Sequence, residues 1–440
     1  MSQVASLLRD APQALAPAGA SRLLDGPGSL HGRAGLLDHL RQFGEPPSGR
    51  FAAERLTDIV ERSGLTGRGG AGFPTARKLE AVRRRRGTAL VVVNGMEGEP
   101  ASGKDSHLLA LAPHLVLDGA SLAAAAVGAN AVLAVVRRDR IGAARSLGRA
   151  IAERRSAGLD HVEPRMYHGP PRYVGGEESA LVHWLNGGPM RPVTVPPRPF
   201  ERGVDGRPTL VLNVETVAHL ALIARFGDAW FRKVGRPDAP GTALLTVSGA
   251  VASPGVAEVA LGSSLQAVVA SRRPSAQPEA LLAGGYFGGW IPWASCGHLA
   301  VAPADLRAAG AGLGAGIVVV APIGACVLAE TARIVGYLAR ESARQCGPCL
   351  HGVAAVAGDL ARLCTGDANG RVTARLRSRI DVIDGRGSCA LPDGVRRLVA
   401  SLLDGFPDHV VQHERLGACR RATALGLPLP PPPASEADWR

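Results

Sequence analysis

Aromatic side chains are scarce in this chain, at 4% of 440 residues. A core must therefore be filled by small aliphatics, and Ala, Gly, Val and Leu dominate the composition. A chain of this length makes about two to four domains and can bury a large core. Lysine is rarer still. Only Lys78, Lys104 and Lys233 occur, so arginine carries the formal net charge of +12. This Arg/Ala/Gly-heavy balance fits a GC-rich coding bias better than a nucleic-acid role. The run Arg83–Arg86 reads as a solvated helix end.

Long clean hydrophobic runs are also missing. Met1–Ala20 has no basic stretch followed by an apolar one, so no secretory signal is expected. Ala308–Ala329 is uncharged and long enough to raise a membrane span. Gly310, Gly312, Gly314, Gly316, Pro322 and Gly324 interrupt it, and only Ile317–Ala321 is strongly apolar. A glycine loop feeding one buried strand fits better. Seven cysteines, two of them in Cys346-Gly-Pro-Cys349, occur without a secretory signal. They point to a reducing cytoplasm and a metal or redox role rather than disulfides.

Two short blocks carry the chemistry. Gly67–Lys78 (GRGGAGFPTARK) packs Gly67, Gly69, Gly70 and Gly72 into six positions, with Arg68 and Ala71 between them. Glycine lets a backbone turn tightly and bring its N–H groups close to a bulky ligand. Phe73, Pro74 and Thr75 follow, and Pro74 sits where a helix can start, aiming those amides at a phosphate or flavin edge. The spacing Gly67-x-Gly69-x-x-Gly72 fits the dinucleotide fingerprint literally. A helical pattern over Leu56–Arg62 precedes it, however, where the fingerprint wants a strand, so a structural glycine turn fits as well. The second block, Asn94–Asp105, ends an apolar run, Ala89–Val93, that reads as a buried parallel strand. It presents Asn94, Glu97 and Glu99 at the strand's C-terminal end, where open α/β sheets bind ligands.

A third block, Tyr173–Ala180 (YVGGEESA), and a fourth, Leu212–Thr216 (LNVET), complete a series. In this order the four resemble the NADH-oxidising flavoprotein subunit of respiratory complex I and its relatives in hydrogenases and formate dehydrogenases. The resemblance runs from about Leu56 to about Gly417 and identifies the chain as a divergent member of that family. It implies a fold in parts: an α/β, Rossmann-like flavin-binding domain, a β-grasp domain of the soluble-ligand-binding type, and an all-α iron–sulfur bundle. The corresponding boundaries are a flexible lead-in over 1–50, the FMN/NADH domain over 51–239, the β-grasp domain over 240–325, the helical domain over 326–425 and a disordered tail over 426–440. Thr242–Ala270 reads strand, turn, strand, then helix from an N-cap at Ser263 or Ser264. Leu90–Val93, Ala131–Val136 and Thr209–Leu212 are strand-like, and Leu108–Val127 reads as one helix.

The resemblance assigns Gly67–Gly72 with Phe73 and Lys78 to the FMN phosphate and ring edge. It makes Asn94, Glu97 and Glu99 the polar wall beside the ring and the nicotinamide. Tyr173, Gly176, Glu177 and Glu178 match the family's Gly-Glu-Glu block, with Glu178 nearest the nicotinamide. Asn213, Glu215 and Thr216 take the ribityl or phosphate contacts. Several positions depart from the pattern. Met96 stands where the family has aspartate, Leu212 replaces an asparagine, Leu79 replaces an adenine-stacking aromatic, and Val195-Pro196-Pro197-Arg198 replaces Lys-Pro-Pro-Phe. Each stacking group lost weakens dinucleotide binding by roughly 1–3 kcal/mol.

The family's cluster is held by Cys-x-x-Cys-x-x-Cys and a fourth cysteine about forty residues later. Here the first of these is Ala343, leaving Cys346, Cys349 and Cys389. A 4Fe–4S cluster with an open or substituted fourth position, a 3Fe–4S cluster, and a zinc site or free thiols all remain open. Cys326, His351 and Cys364 are outside candidates for the fourth ligand. The function implied is transfer of electrons from NAD(P)H through FMN and an iron–sulfur cluster to a ferredoxin, another electron-transfer subunit or a membrane-associated redox complex. NADH is the substrate, and no side chain acts as general acid or base, since hydride transfer belongs to the flavin. The implied location is cytoplasmic and peripheral to the membrane through partners, with no transmembrane segment of its own. Two alternatives stand beside it: a flavin/iron–sulfur carrier that no longer binds nicotinamide, and a non-catalytic scaffold subunit.

Overall fold

A computed structural model of the chain describes residues 22–25, 34–47, 50–366, 370–419 and 425–440. Among the described residues three helices come first: α1 (Leu36–Phe43), α2 (Arg50–Ser63) and α3 (Thr75–Arg83). They lead into β1 (Ala89–Gly95), whose first five residues are buried, as its apolar run predicts. Next come α4 (Lys104–Leu111), α5 (Pro113–Val127), β2 (Ala129–Arg137), α6 (Ile141–Ala157), β3 (Pro164–Gly169), α7 (Glu178–Leu185), β4 (Thr209–Asn213) and α8 (Val214–Arg232). The four strands form one sheet in the order β3-β2-β1-β4, parallel throughout. Helices cover both faces, which is what a fully parallel sheet requires. One face packs Val91 and Val93 with Leu117, Ala120 and Val217. The other packs Val92 with Leu181, Met190 and Met96.

The expected single helix over Leu108–Val127 is two helices, bent by 99° between them. The break falls at Ala112, directly before Pro113, which has no N–H and disfavours helical geometry in the residue ahead of it. Among the described residues no single helix is long and apolar enough to cross a membrane.

A short ribbon, β5 (Gly235–Arg236) and β6 (Ala239–Pro240), leads into a second sheet. Its elements are β7 (Thr242–Gly249), β8 (Gly255–Ala260), α9 (Leu265–Ser271), β9 (Pro278–Ala283), β10 (Gly289–Pro292), α10 (Pro303–Ala308) and β11 (Ile317–Pro322). The strand order is β10-β9-β11-β7-β8, with β7 parallel to β11 and the other pairs antiparallel. Ser264 caps α9 by accepting the Ala267 N–H, one of the two caps expected. The glycine-rich stretch Ala308–Ala329 delivers one fully buried strand, β11.

Helices α11 (Val327–Glu341), α12 (Ala354–Thr365), α13 (Val372–Ile383), α14 (Leu391–Gly405) and α15 (Pro407–Leu416) form a bundle. A π-helical turn over Pro348–Val353 precedes α12. The bundle shares a core with the back of the second sheet. Trp290 sits at this seam, its indole N–H donating to Thr331 (2.8 Å) and its backbone N–H to Ser401 (2.8 Å).

Two terminal expectations need correction. Within the lead-in, α1 buries His39, Leu40 and Phe43, and the Arg22 guanidinium lies 3.9 Å over the Trp230 ring. Residues 1–21, 26–33 and 48–49 of that segment lie outside the described residues. The tail expected to be disordered is also docked. The Met190 N–H donates to the Trp439 carbonyl (2.7 Å), the Tyr286 hydroxyl donates to Pro428 (2.6 Å), and Trp439 is buried. An indole at the chain end supplies enough apolar area to hold a proline-rich segment that composition alone marks as loose.

Candidate flavin crevice and cysteine sites

The parallel pairing of β1 with β4 sets Asn94 opposite Asn213 at the C-terminal edge of the sheet. The glycine turn lies over this edge: a Cβ on Gly69 would stand 3.2 Å from Asn213 Cβ. Gly70 and Gly72 have φ of +127° and +64°, a backbone region that favours glycine. Gly69, Gly70, Ala71 and Gly72 are exposed, and Phe73 beside them is 47% exposed. Thr75 then begins α3, placing Lys78 one turn in. Its ammonium meets the Glu178 carboxylate at 3.1 Å and donates to the Val211 carbonyl at 3.3 Å. Asn94 Nδ2 donates to the Gly176 carbonyl (2.9 Å), joining the strand end to the Gly-Glu-Glu block. Asn213, Gly176, Glu177 and Glu178 are all partly exposed here. Glu177 also caps α7, accepting the Ala180 N–H at 2.8 Å.

Gly67 closes the turn, its N–H donating to the Phe73 carbonyl (2.8 Å), whereas Arg68, Glu97, Glu99, Tyr173, Glu215 and Thr216 are buried away from this opening. Glu97 has φ of +41°, uncommon for a side-chain-bearing residue. Its carboxylate turns inward to cap α4, accepting from the Asp105 and Ser106 amides and the Ser102 and Ser106 hydroxyls. Gly98 after it has no room for a side chain, because a Cβ would lie 2.1 Å from the Tyr173 carbonyl. Glu99 is buried where the two sheets meet, accepting from the Tyr173 hydroxyl (2.8 Å) and the Tyr286 N–H (3.0 Å). Burial pushes its carboxyl up to about 7, although both donors favour the ion.

Arg68, Glu215 and Thr216 are buried as well. The Arg68 N–H donates to the Thr216 hydroxyl (2.9 Å), and its guanidinium donates to the Thr242 carbonyl. Glu215 accepts the Leu244 N–H (2.9 Å) and pairs with Lys104 (2.8 Å), which also pairs with Asp105 (2.7 Å). Burial opposes ionisation of Glu215, but Lys104, His219 and Arg68 hold its carboxyl down at about 2. These residues stitch the first sheet to the second beneath the crevice and position its floor. Met96 is fully buried, and Cβ atoms on Gly169 or Gly175 would strike its side chain. Leu79 is fully buried among α2 and α3 apolar residues and presents no ring face to a ligand.

The open, exposed Gly69–Gly72 turn and the Lys78 ammonium fit a flavin mononucleotide, whose phosphate needs backbone and charged donors. The cysteines lie close by. Cys346 and Cys349 bracket the start of the π-helical turn, and Cys389 approaches them from just ahead of α14. Burial would raise the Cys346 thiol, but backbone amides at Ser388 and Cys349 hold it below its ordinary value. Cys349 is pushed up to about 12 by burial, and Cys346 and Cys389 add to this. Cys389 is pushed up to about 11 by burial, with the Glu177 carboxylate contributing. Glu177 of the crevice thus lies near the Cys389 side chain. Among the described residues the group that brings three or more such donors within 4.8 Å of one another lies elsewhere. Position 343 offers no ligand, but the neighbouring Ser342 hydroxyl hydrogen-bonds Cys349. Of the outside candidates, Cys326 and Cys364 lie instead near Cys419, and His351 is exposed on the π-helical turn. The sequence offered no local signal for the Lys104–Glu215 and Glu99–Tyr286 contacts, whose partners are far apart in the chain.

Comparison with known proteins finds relatives that span most of the chain. A family model described as the Nuo51 FMN-binding domain matches residues 60–222. One described as the NADH-ubiquinone oxidoreductase-F iron-sulfur binding region matches residues 329–413. The second F subunit of the NADH-quinone oxidoreductase of Rhizobium meliloti (strain 1021) is 32% identical over 381 residues, which cover 83% of this chain and 90% of that protein. The corresponding F subunit of Rickettsia bellii (strain OSU 85-389) is 30% identical, over 81% of this chain and 89% of that protein. Among solved structures, an NAD+-reducing NiFe-hydrogenase in the air-oxidized state superposes with a TM-score of 0.78 and 31% identity. That match covers 87% of this chain and 66% of the hydrogenase chain. In the H2-reduced state the TM-score is 0.76 at 30% identity, and this chain spans 63% of that chain's length. With the flavin-domain and iron–sulfur models both matched in order on the crevice and cysteines described above, the chain belongs to the family of NADH-quinone oxidoreductase F subunits.

Proposed function

We propose that this protein is an FMN and iron–sulfur oxidoreductase subunit that takes electrons from NADH and passes them to a partner redox subunit. The observation that carries the proposal is the convergence of the exposed glycine turn, Phe73, the Lys78–Glu178 pair and the Asn94–Gly176 bond at the C-terminal edge of the parallel sheet. FMN, when bound, accepts two electrons as a hydride and releases them singly to the cluster. The chain's own residues hold and orient. Gly69–Gly72 and Lys78 bind the phosphate and ring edge, Asn94 and Asn213 line the floor, and Phe73 with Glu178 meets the nicotinamide at the mouth. Arg68, Glu97, Glu99, Tyr173, Glu215 and Thr216 position these groups from beneath. Cys346, Cys349 and Cys389 hold the cluster.

In this account 51–239 acts as the Rossmann-like flavin unit. The segment 240–325 acts as a β-grasp unit, supported by a strand order that sets the first and last strands side by side and parallel. The stretch 326–425 acts as the cluster-bearing unit. Partners are electron-transfer subunits such as a ferredoxin-type protein, in an assembly peripheral to a membrane on the cytoplasmic side. A second reading, a flavin and cluster carrier without nicotinamide, draws support from the burial of Leu79 and from Arg198 where the family has an aromatic.

Glu178→Gln distinguishes them. A charge-assisted hydrogen bond contributes ~1.5–3 kcal/mol, or roughly ten- to a hundredfold in rate. The variant is expected to retain FMN and lose NADH oxidation by that factor. An unchanged rate would remove Glu178 from the nicotinamide site.

A further inference from the structure

Four residues outside the cluster motif meet in the bundle: Cys326, His409, His413 and Cys419. One ligand atom from each lies within 4.8 Å of every other. Cys326 Sγ stands 3.6 Å from His409 Nε2 and 3.4 Å from His413 Nε2. With Zn–S of about 2.3 Å and Zn–N of about 2.0 Å, the S···N edge of a tetrahedral site is ~3.5 Å. We propose that these four side chains form a closed Cys2His2 zinc site, separate from the iron–sulfur cysteines.

The surroundings are those of a metal site rather than of incidental packing. His409 and His413 are four apart on α15, so both rings project from one helical face, 5.0 Å between centroids. His413 Nδ1 lies 3.0 Å from the Leu363 carbonyl and donates to it. That bond fixes the tautomer and aims the Nε2 lone pair at Cys326, as the outer partner of a metal-ligating histidine does. Cys326 caps α11, its sulfur receiving the Ala329 N–H at 3.3 Å, an arrangement that favours thiolate. Cys326, His409 and His413 are buried and Cys419 is partly exposed, so most of the site is shielded from solvent. The donor set is sulfur and imidazole with no oxygen, which excludes calcium and magnesium and suits zinc. Four protein ligands leave no vacant position for catalysis. The ion clamps α15 and the chain at Cys419 to the start of α11, where the bundle leaves the second sheet. It thereby braces the scaffold carrying Cys346, Cys349 and Cys389.

The test is metal analysis of the full-length protein, purified anaerobically from zinc-replete cells, with zinc and iron counted separately. About one zinc per chain is expected, the stoichiometry of a closed structural site. Zinc should persist in the Cys346→Ser/Cys349→Ser double variant, which loses iron. It should be lost in Cys326→Ser and in His413→Gln, both of which keep their FMN. Zinc far below stoichiometry in the unaltered protein would overturn the proposal, as would zinc lost together with Cys346 and Cys349. So would a Cys326–Cys419 disulfide in the anaerobic protein. Should Cys326→Ser and His413→Gln fail to fold, cobalt added to the zinc-stripped full-length protein decides the matter. Tetrahedral ligand-field bands with thiolate charge transfer, displaced by zinc, are expected, and their absence would refute the site.

Discussion

Glu99 makes the junction between the two sheets sensitive to pH. Its carboxyl stands at about 7 in the folded protein against 4.5 in the open chain, chiefly because burial disfavours the ion. A carboxyl with a raised folded pKa stabilises fully below the unfolded value, and the contribution is lost as pH climbs through the folded one. The window therefore runs from about pH 4.5 to about pH 7 and somewhat beyond. A shift of this size corresponds to ~3 kcal/mol in all, of which ~2.5 kcal/mol falls between about pH 5 and pH 8. Asp105, raised to about 6 by burial, titrates in the same window, so the total slope of the unaltered protein is not diagnostic. The Glu99→Gln variant isolates the term. A glutamine oxygen can accept from the Tyr173 hydroxyl and the Tyr286 N–H as Glu99 does, without a charge to bury. Urea unfolding of both proteins across this range is expected to show a difference that grows in favour of the variant by ~2 kcal/mol toward the alkaline end. A stability difference independent of pH would refute the placement of Glu99 in a low-dielectric junction.

Two further outcomes follow from the buried charges and the thiols. Asp118 is fully buried and pairs with His39 (2.6 Å), Arg154 (2.7 Å) and Arg225 (2.5 Å), joining α1, α5, α6 and α8. Replacing it with Asn leaves two guanidinium groups under-compensated in the interior and is expected to cost ~3–5 kcal/mol in denaturant unfolding; a loss under about 1 kcal/mol would show that the network is hydrated. Cys346→Ser is expected to abolish the broad iron–sulfur absorbance while leaving the flavin bands intact. A retained cluster spectrum would place the cluster elsewhere.

Much of the scaffold is legible in local sequence. Ala89–Val93 forms its buried parallel strand, Ser264 caps its helix, and Ile317–Ala321 becomes the strand emerging from a glycine loop, because periodicity and capping act over a few residues. The glycine turn, Lys78, Asn94, Glu178 and Asn213 also meet at one sheet edge. The direction in which the other motif residues point could not be read this way. Glu97 and Glu99 are two apart, yet one caps α4 and the other crosses to Tyr286 of the second sheet, 187 positions on. Lys104 and Glu215 become an internal ion pair only when α4 and α8 pack together. The Cys2His2 group is harder still. Only the four-residue spacing of His409 and His413 is visible along the chain, while Cys326 joins them from 83 residues away. Packing, not pattern, sets whether a carboxylate in a motif faces a ligand or the interior.

The proposed function requires a crevice that takes hydride from NADH beside Lys78 and Glu178 and passes reducing equivalents on to the cysteine site. An anaerobic absorbance titration of the FMN-loaded protein with NADH tests this directly. Bleaching of the flavin band, accompanied by loss of the iron–sulfur absorbance at matching equivalents of electrons, is the expected result. Bound flavin that stays oxidised with NADH but bleaches with dithionite would contradict it, leaving an electron carrier without a nicotinamide half-reaction.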